Sequence, residues 1–191
     1  MAKEKELPSV YLDSCCFIDV VKLKFGKQLG DTQQKHLARL KEVWMYKKML
    51  QAALDRKLRV FTSALTMVEC MQIEGDDSQK VQEAFEKLFF SANLIIPVQP
   101  TNAVQELSRQ LRWQHGIKLG GMDYIQVASA LTATAKELIT TDGLDNLKPK
   151  SILGNAALIE PLGLRVVVAS QSRELPGEYR MEDLFPRQEP I

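Results

Sequence analysis

Three cysteines and two histidines are all that this 191-residue chain carries of the residues that most often bind zinc or close disulfides. Cys15, Cys16 and Cys70 make an odd number with no zinc-type spacing. That excludes a disulfide framework and points to small buried side chains in a reducing compartment. His36 and His115 sit in no motif, so nothing supports a metal-free ribonuclease built on a histidine pair. No apolar run approaches the length needed to cross a bilayer, and Met1 to Pro8 alternates lysine with glutamate where a secretory signal would be apolar. The expectation is a cytoplasmic protein without membrane association. Repeats and low-complexity segments are lacking too. Neither sign of charge is in excess, the net being +1, so the overall balance names no nucleic-acid partner.

What is present is an ordinary globular composition, 45% hydrophobic and 26% charged, on a chain long enough for one well-buried core. Charge is distributed unevenly. From Lys22 to Arg59 eleven Lys or Arg face only Asp31, Glu42 and Asp55, a local net of +8. Such a run is either a solvated helical face or a surface that contacts phosphates, with Lys47 and Lys48 as candidates for RNA binding.

Short apolar runs alternate with helical patterns along the chain. Val10 to Leu12, Leu58 to Phe61, Leu94 to Val98, Leu138 to Thr141 and Leu164 to Ala169 read as strands. Helices are expected from Ser14 to Lys22, in one or two pieces over Thr32 to Arg56, after a cap at Thr62 or Ser63, and from Lys80 to Phe90. Two more follow, one capped by Thr101 or Asn102 and one from Met122 to Lys136. Gly75 to Ser78 reads as a polar turn and Asn155 to Ile159 as a short helix. Alternation of this kind implies crossover connections and a parallel sheet of four or five strands, with helices on both faces. The main unit is expected over residues 1–170, with an extra helical segment at 22–58. Residues 171–191 form a polar tail that docks through Tyr179, Leu184 and Phe185 or stays mobile.

Four acids fall at the ends of these elements. Asp13 and Asp142 each follow an apolar run, where open α/β sheets hold ligands. Glu69 lies about two turns into a helix among apolar neighbours, and Asp123 opens a helix after Gly120 and Gly121. Each also has a plain structural reading. Asp13 can cap its helix, Glu69 can face water, and Asp123 can complement a helix dipole. Gathered on one rim they would repel one another unless cations lay between them, and an oxygen-only set suits Mg²⁺ or Mn²⁺. Two such ions would activate water and stabilise the leaving oxygen in phosphodiester hydrolysis.

At Leu12-Asp13-Ser14, at Thr62-Ser63 through Glu69, at Met122-Asp123-Tyr124-Ile125 with Ala128 and Ala130, and at Thr140-Thr141-Asp142, the chain resembles the PIN-domain nucleases. The resemblance is strongest to the VapC-like toxins of toxin–antitoxin pairs and spans Val10 to Val168. It implies a PIN-like α/β fold and Mg²⁺- or Mn²⁺-dependent endoribonuclease activity. Asp13, Glu69, Asp123 and Asp142 would be the catalytic metal-binding acids, with Asp145 as an additional metal-side acid. Ser14 and Thr140 would be hydroxyls that orient carboxylates or water. RNA as substrate, an antitoxin partner and homodimerisation are further implications. The extra helical segment and the long tail depart from the toxins, so an RNA-processing or defence nuclease without antitoxin stands beside them. A catalytically silent PIN-like scaffold binding RNA or protein is the other alternative. A metal-dependent phosphatase is disfavoured, because Asp13 is followed by Ser14 and Cys15 and not by a second aspartate two residues on.

Overall fold

A computed structural model describes residues 7–70, 78–90 and 94–180. Gly75, Asp76 and Asp77 of the expected turn, and Leu184 and Phe185 of the tail, lie outside the described residues.

Five strands form one parallel sheet: β1 (Ser9–Leu12), β2 (Arg59–Ser63), β3 (Ile95–Val98), β4 (Glu137–Ile139) and β5 (Arg165–Val167), in the order β3-β2-β1-β4-β5. Every neighbouring pair is parallel, with Tyr11 opposite Phe61 on one side and Leu138 on the other. The apolar runs are strands because both faces are covered, so successive side chains all need apolar company. Val10 and Leu12 point into a core built with α1 (Ser14–Lys24), α2 (Gln33–Leu54) and α4 (Ser78–Phe90). Tyr11, Phe61, Leu138 and Val166 point the other way, into a core with α5 (Asn102–Trp113), α6 (Gly121–Thr132) and α7 (Ala156–Ile159). This is the pleat of a strand read on two faces at once.

Helix starts follow their caps. Asp13 caps α1 by accepting the Ser14 N–H, Thr32 caps α2 through the Lys35 N–H, and Thr101 caps α5 through the Val104 N–H. The 32–56 segment is one helix, α2, not two. The third helix differs from expectation. Ser63 Oγ accepts the Leu65 N–H at 3.1 Å, which makes a local turn, and α3 (Thr66–Cys70 among the described residues) begins only at Thr66. Glu69 therefore stands in its first turn.

Residues 169–180 pack back on the sheet. The buried Glu137 accepts the Arg173 N–H at 2.9 Å and the Ser172 hydroxyl at 2.5 Å, and pairs with Arg165. Glu42 on α2 likewise accepts the N–H and hydroxyl of Ser170. Leu175 is fully buried and Tyr179 donates to Asp55.

Candidate functional site

The carboxyl ends of β1 and β4 carry the acids, because each strand runs out of apolar residues there. Asp13 directly follows β1 and is 4% exposed. Its Oδ1 accepts the Ser14 N–H at 2.7 Å and, more weakly, the Ser14 hydroxyl at 3.4 Å. Its Oδ2 accepts the Thr140 hydroxyl at 2.7 Å and the Cys15 thiol at 3.2 Å. Thr140 Oγ1 in turn accepts the Asp142 N–H at 2.9 Å, so one hydroxyl joins the ends of both strands. Burial pushes the Asp13 carboxyl up, these donors oppose the shift, and the charge of Asp142 adds to it.

Asp123 sits in the first turn of α6 and folds back to accept the Gly120 N–H at 3.2 Å. A side chain at position 120 would collide with that carboxylate, since a Cβ there would lie 2.7 Å from its Oδ2. Glycine is what lets the acid close this turn. Burial, then the charges of Asp13, Asp142 and Glu69, push Asp123 up to about 6. Glu69 is raised too, by burial and then by Asp13, while Ser14 and Gln126 hold it down. Asp13, Glu69, Asp123 and Asp142 therefore act on one another electrostatically across the rim, and the first three hold a proton more tightly for it.

They do not form a metal cage. Among the described residues no group of three or more His, Cys, Asp or Glu side chains is placed to hold a metal ion. The physical reason is that each acid is already taken by a protein donor of its own. Asp13 serves the start of α1 and Thr140. Glu69 accepts the Gln126 amide at 2.5 Å. Asp123 serves Gly120, and Asp142 Oδ2 accepts the Ile152 N–H at 2.7 Å. Asp145 pairs with Arg39 at 3.1 Å. This corrects the ligand set Asp13, Glu69, Asp123, Asp142 and Asp145, and with it Mg²⁺ or Mn²⁺ as cofactor. It likewise corrects the four-carboxylate catalytic centre and the metal-dependent ribonuclease that rested on it, in a toxin or otherwise.

Two arrangements at the rim are not evident from the sequence. Asp19, 1% exposed inside α1, and Asp145 share Arg39 of α2, whose two terminal nitrogens lie 3.4 and 3.1 Å from them. Burial still leaves Asp19 raised, against the pull of Arg39. Beneath Glu69, Gln126 is buried among small residues of α6. It accepts the Tyr11 hydroxyl at 2.5 Å and donates to Thr66 at 3.2 Å and to Glu69. Thr62 extends the chain from Thr66 to the carbonyl of Leu12. This network ties β1, β2, α3 and α6 together below the acids. The detectable signal was a polar residue, Gln126, at a core position of the helix.

A cavity of about 580 Å³ lies at the other pole, lined by Pro8, Arg56, Lys57, Leu175 and Arg180 among others, where β1 and β2 begin. Lys57 is paired with Glu178 there, and Arg180 donates to the carbonyl of Leu175, so much of its polar lining fastens residues 173–180. No helix among the described residues is long and apolar enough to cross a membrane. Comparison with known proteins gives no match: no family model, no curated protein and no solved structure corresponds to this chain.

Proposed function

We propose that the chain is a PIN-like scaffold that binds RNA without metal-dependent catalysis. The observation that carries this reading is the uncompensated positive charge of exposed lysines between residues 24 and 47. Lys24, Lys27, Lys41 and Lys47 are exposed, and none of them forms an ion pair among the described residues. The acids of the same segment are spent elsewhere. Asp31 pairs with Lys35 at 2.7 Å, Asp55 accepts from Tyr179, and Glu42 is buried on Ser170. A polyanion meeting the exposed lysines releases counterions without first having to break protein ion pairs. The rim acids, by contrast, are engaged with their own donors and offer a phosphate group no cation.

The test is binding of a labelled RNA at several salt concentrations by the parent chain and by a Lys47→Glu, Lys48→Glu variant. The variant should bind more weakly. Its plot of log affinity against log salt should flatten by about 0.7 for each single-strand phosphate that the two lysines no longer neutralise. An unchanged slope, or no RNA binding by the parent at low salt, would reassign these lysines to solvent or to a protein partner.

A further inference from the structure

A second cationic surface, distinct from α2, lies where α5 ends. From Leu107 to Met122 the chain has no acid but contains Arg109, Arg112, His115 and Lys118, and from Asn146 to Ile159 it has no acid but contains Lys148 and Lys150. Folding brings the two segments together. The buried Asn155 amide nitrogen shares its two N–H donors among the carbonyls of Lys118 and Pro149 at 3.0 Å each and of Ser151 at 2.9 Å, and its oxygen accepts the Lys118 N–H at 3.3 Å. The carbonyls of residues 118 and 149 thus lie within about 6 Å of each other (3.0 Å plus 3.0 Å at most). Lys118, Lys148 and Lys150 are all exposed on this seam.

Trp113 lies five residues before Lys118 in the chain. It is the last residue of α5 and 70% exposed, although indoles are usually well covered in folded proteins. Its exposure does not come from a loose helix end. Gln114 N–H donates to Gln110 at 2.8 Å and Ile117 N–H to Leu111 at 3.0 Å, and both Leu111 and Ile117 are fully buried. The Arg112 guanidinium lies 5.8 Å from the Trp113 ring. An anchored, solvent-facing aromatic ring with Arg112 against it, on a segment that carries Lys118 five residues on, matches a strand that offers base faces and phosphates together. A duplex hides its base faces. Two of the nearby carboxylates are neutralised by cations outside the seam: Glu106 is paired with Arg109, and Asp145 with Arg39.

We propose that Trp113 is a stacking platform for an unpaired base of single-stranded RNA, with Arg112, Lys118, Lys148 and Lys150 contacting the flanking phosphates. The proposal rests on the RNA-binding reading above and adds the class of RNA and a second contact surface. In the full chain carrying Trp44→Phe, Trp113 is the sole indole. Titration with short oligoadenylate should quench its fluorescence saturably, and duplex RNA of equal length should not. Trp113→Ala should weaken oligoadenylate binding about tenfold or more, with Trp113→Phe recovering most of the loss. A urea-unfolding midpoint equal to the parent's would show that the alanine chain is folded. Oligoadenylate that binds as tightly to Trp113→Ala as to the parent would overturn the platform while leaving RNA binding in place. Equal loss for single and double strands would overturn the single-strand assignment. Failure of the parent to bind either RNA would overturn both readings.

Discussion

Replacing Asp123 with asparagine should make the protein more stable at neutral pH, because the carboxylate is held where its charge is unwelcome. In the unfolded chain the group titrates near its ordinary 3.8; in the folded chain it titrates at about 6, raised by burial and then by Asp13, Asp142 and Glu69. A raised acid pKa means that the folded state binds the proton more tightly than the unfolded state does. Stability therefore falls as pH climbs from 3.8 towards 6, and the full penalty is present above that window. A gap of about two pH units corresponds to about 3 kcal/mol. Solvent reaching the half-buried group screens this to about 1–2 kcal/mol.

Asparagine removes the charge and keeps an oxygen to accept the Gly120 N–H. It forfeits the attraction of a carboxylate for the start of α6, about 0.5 kcal/mol. The net expectation is a gain of about 1 kcal/mol at about pH 7.5, vanishing or reversing below about pH 4. Urea unfolding at both pH values, read as the difference between variant and parent, measures it. A variant less stable than the parent at the higher pH, or a difference that ignores pH, would refute the electrostatic account of the rim.

Addition of millimolar Mg²⁺ or Mn²⁺ should leave the thermal midpoint of the parent unchanged, since the rim acids serve separate donors; a saturable rise in Tm would reinstate an ion site there. Glu137→Ala should destabilise by about 3–5 kcal/mol, because it strips Arg165, Ser172 and the Arg173 N–H of one buried acceptor. Proteolysis should then cut first between residues 170 and 180, and uniform resistance along the chain would count against that role. Arg39→Met should cost about 2–4 kcal/mol at neutral pH by leaving Asp19 buried without its cation. Because Asp19 is already raised, the cost should shrink as acid protonates it, and Asp19→Asn on the same background should recover part of the loss. Denaturation of the single and double variants measures both effects.

The sheet was legible because parallel strands buried on both faces leave an unmistakable residue pattern. Val10 to Leu12 and Leu164 to Ala169 each read as a strand from their residue content; β1 covers the first run with Ser9 added, and β5 lies within the second. The helix start at Thr101 or Asn102 was also readable, and Thr101 is the residue that caps it. The start after β2 was not. Thr62 and Ser63 both look like caps, yet the Thr62 hydroxyl is drawn to the carbonyl of Leu12 and to Thr66, and Ser63 closes a turn. A tertiary partner took the Thr62 hydroxyl and a local turn the Ser63 hydroxyl, so α3 begins later, at Thr66. Strand order depends on contacts such as Lys136 N–H to Ser9, which no local pattern encodes.

For the rim, the sequence indicated which acids come to the strand and helix ends but not what each would bind. Four carboxylates brought near one another can be tolerated in three ways: by a cation between them, by protonation, or by a separate donor for each. Pattern and spacing cannot distinguish these, because some of the deciding donors lie far away in sequence. Gln126 is 57 residues from Glu69, Thr140 is 127 from Asp13, and Arg39 reaches Asp19 from 20 residues away. The structure uses the third route. Asp123 shows its limit: its one backbone donor, Gly120, does not offset burial and three neighbouring charges, which push the group up to about 6. Asp13, with donors on both oxygens, is held against the same forces by Thr140, Cys15 and the Ser14 N–H. Supplying donors one at a time fixes each acid to its own element, so the oxygens are aimed at the protein and not at a common point. A surface built this way orders the ends of β1, β4 and α6.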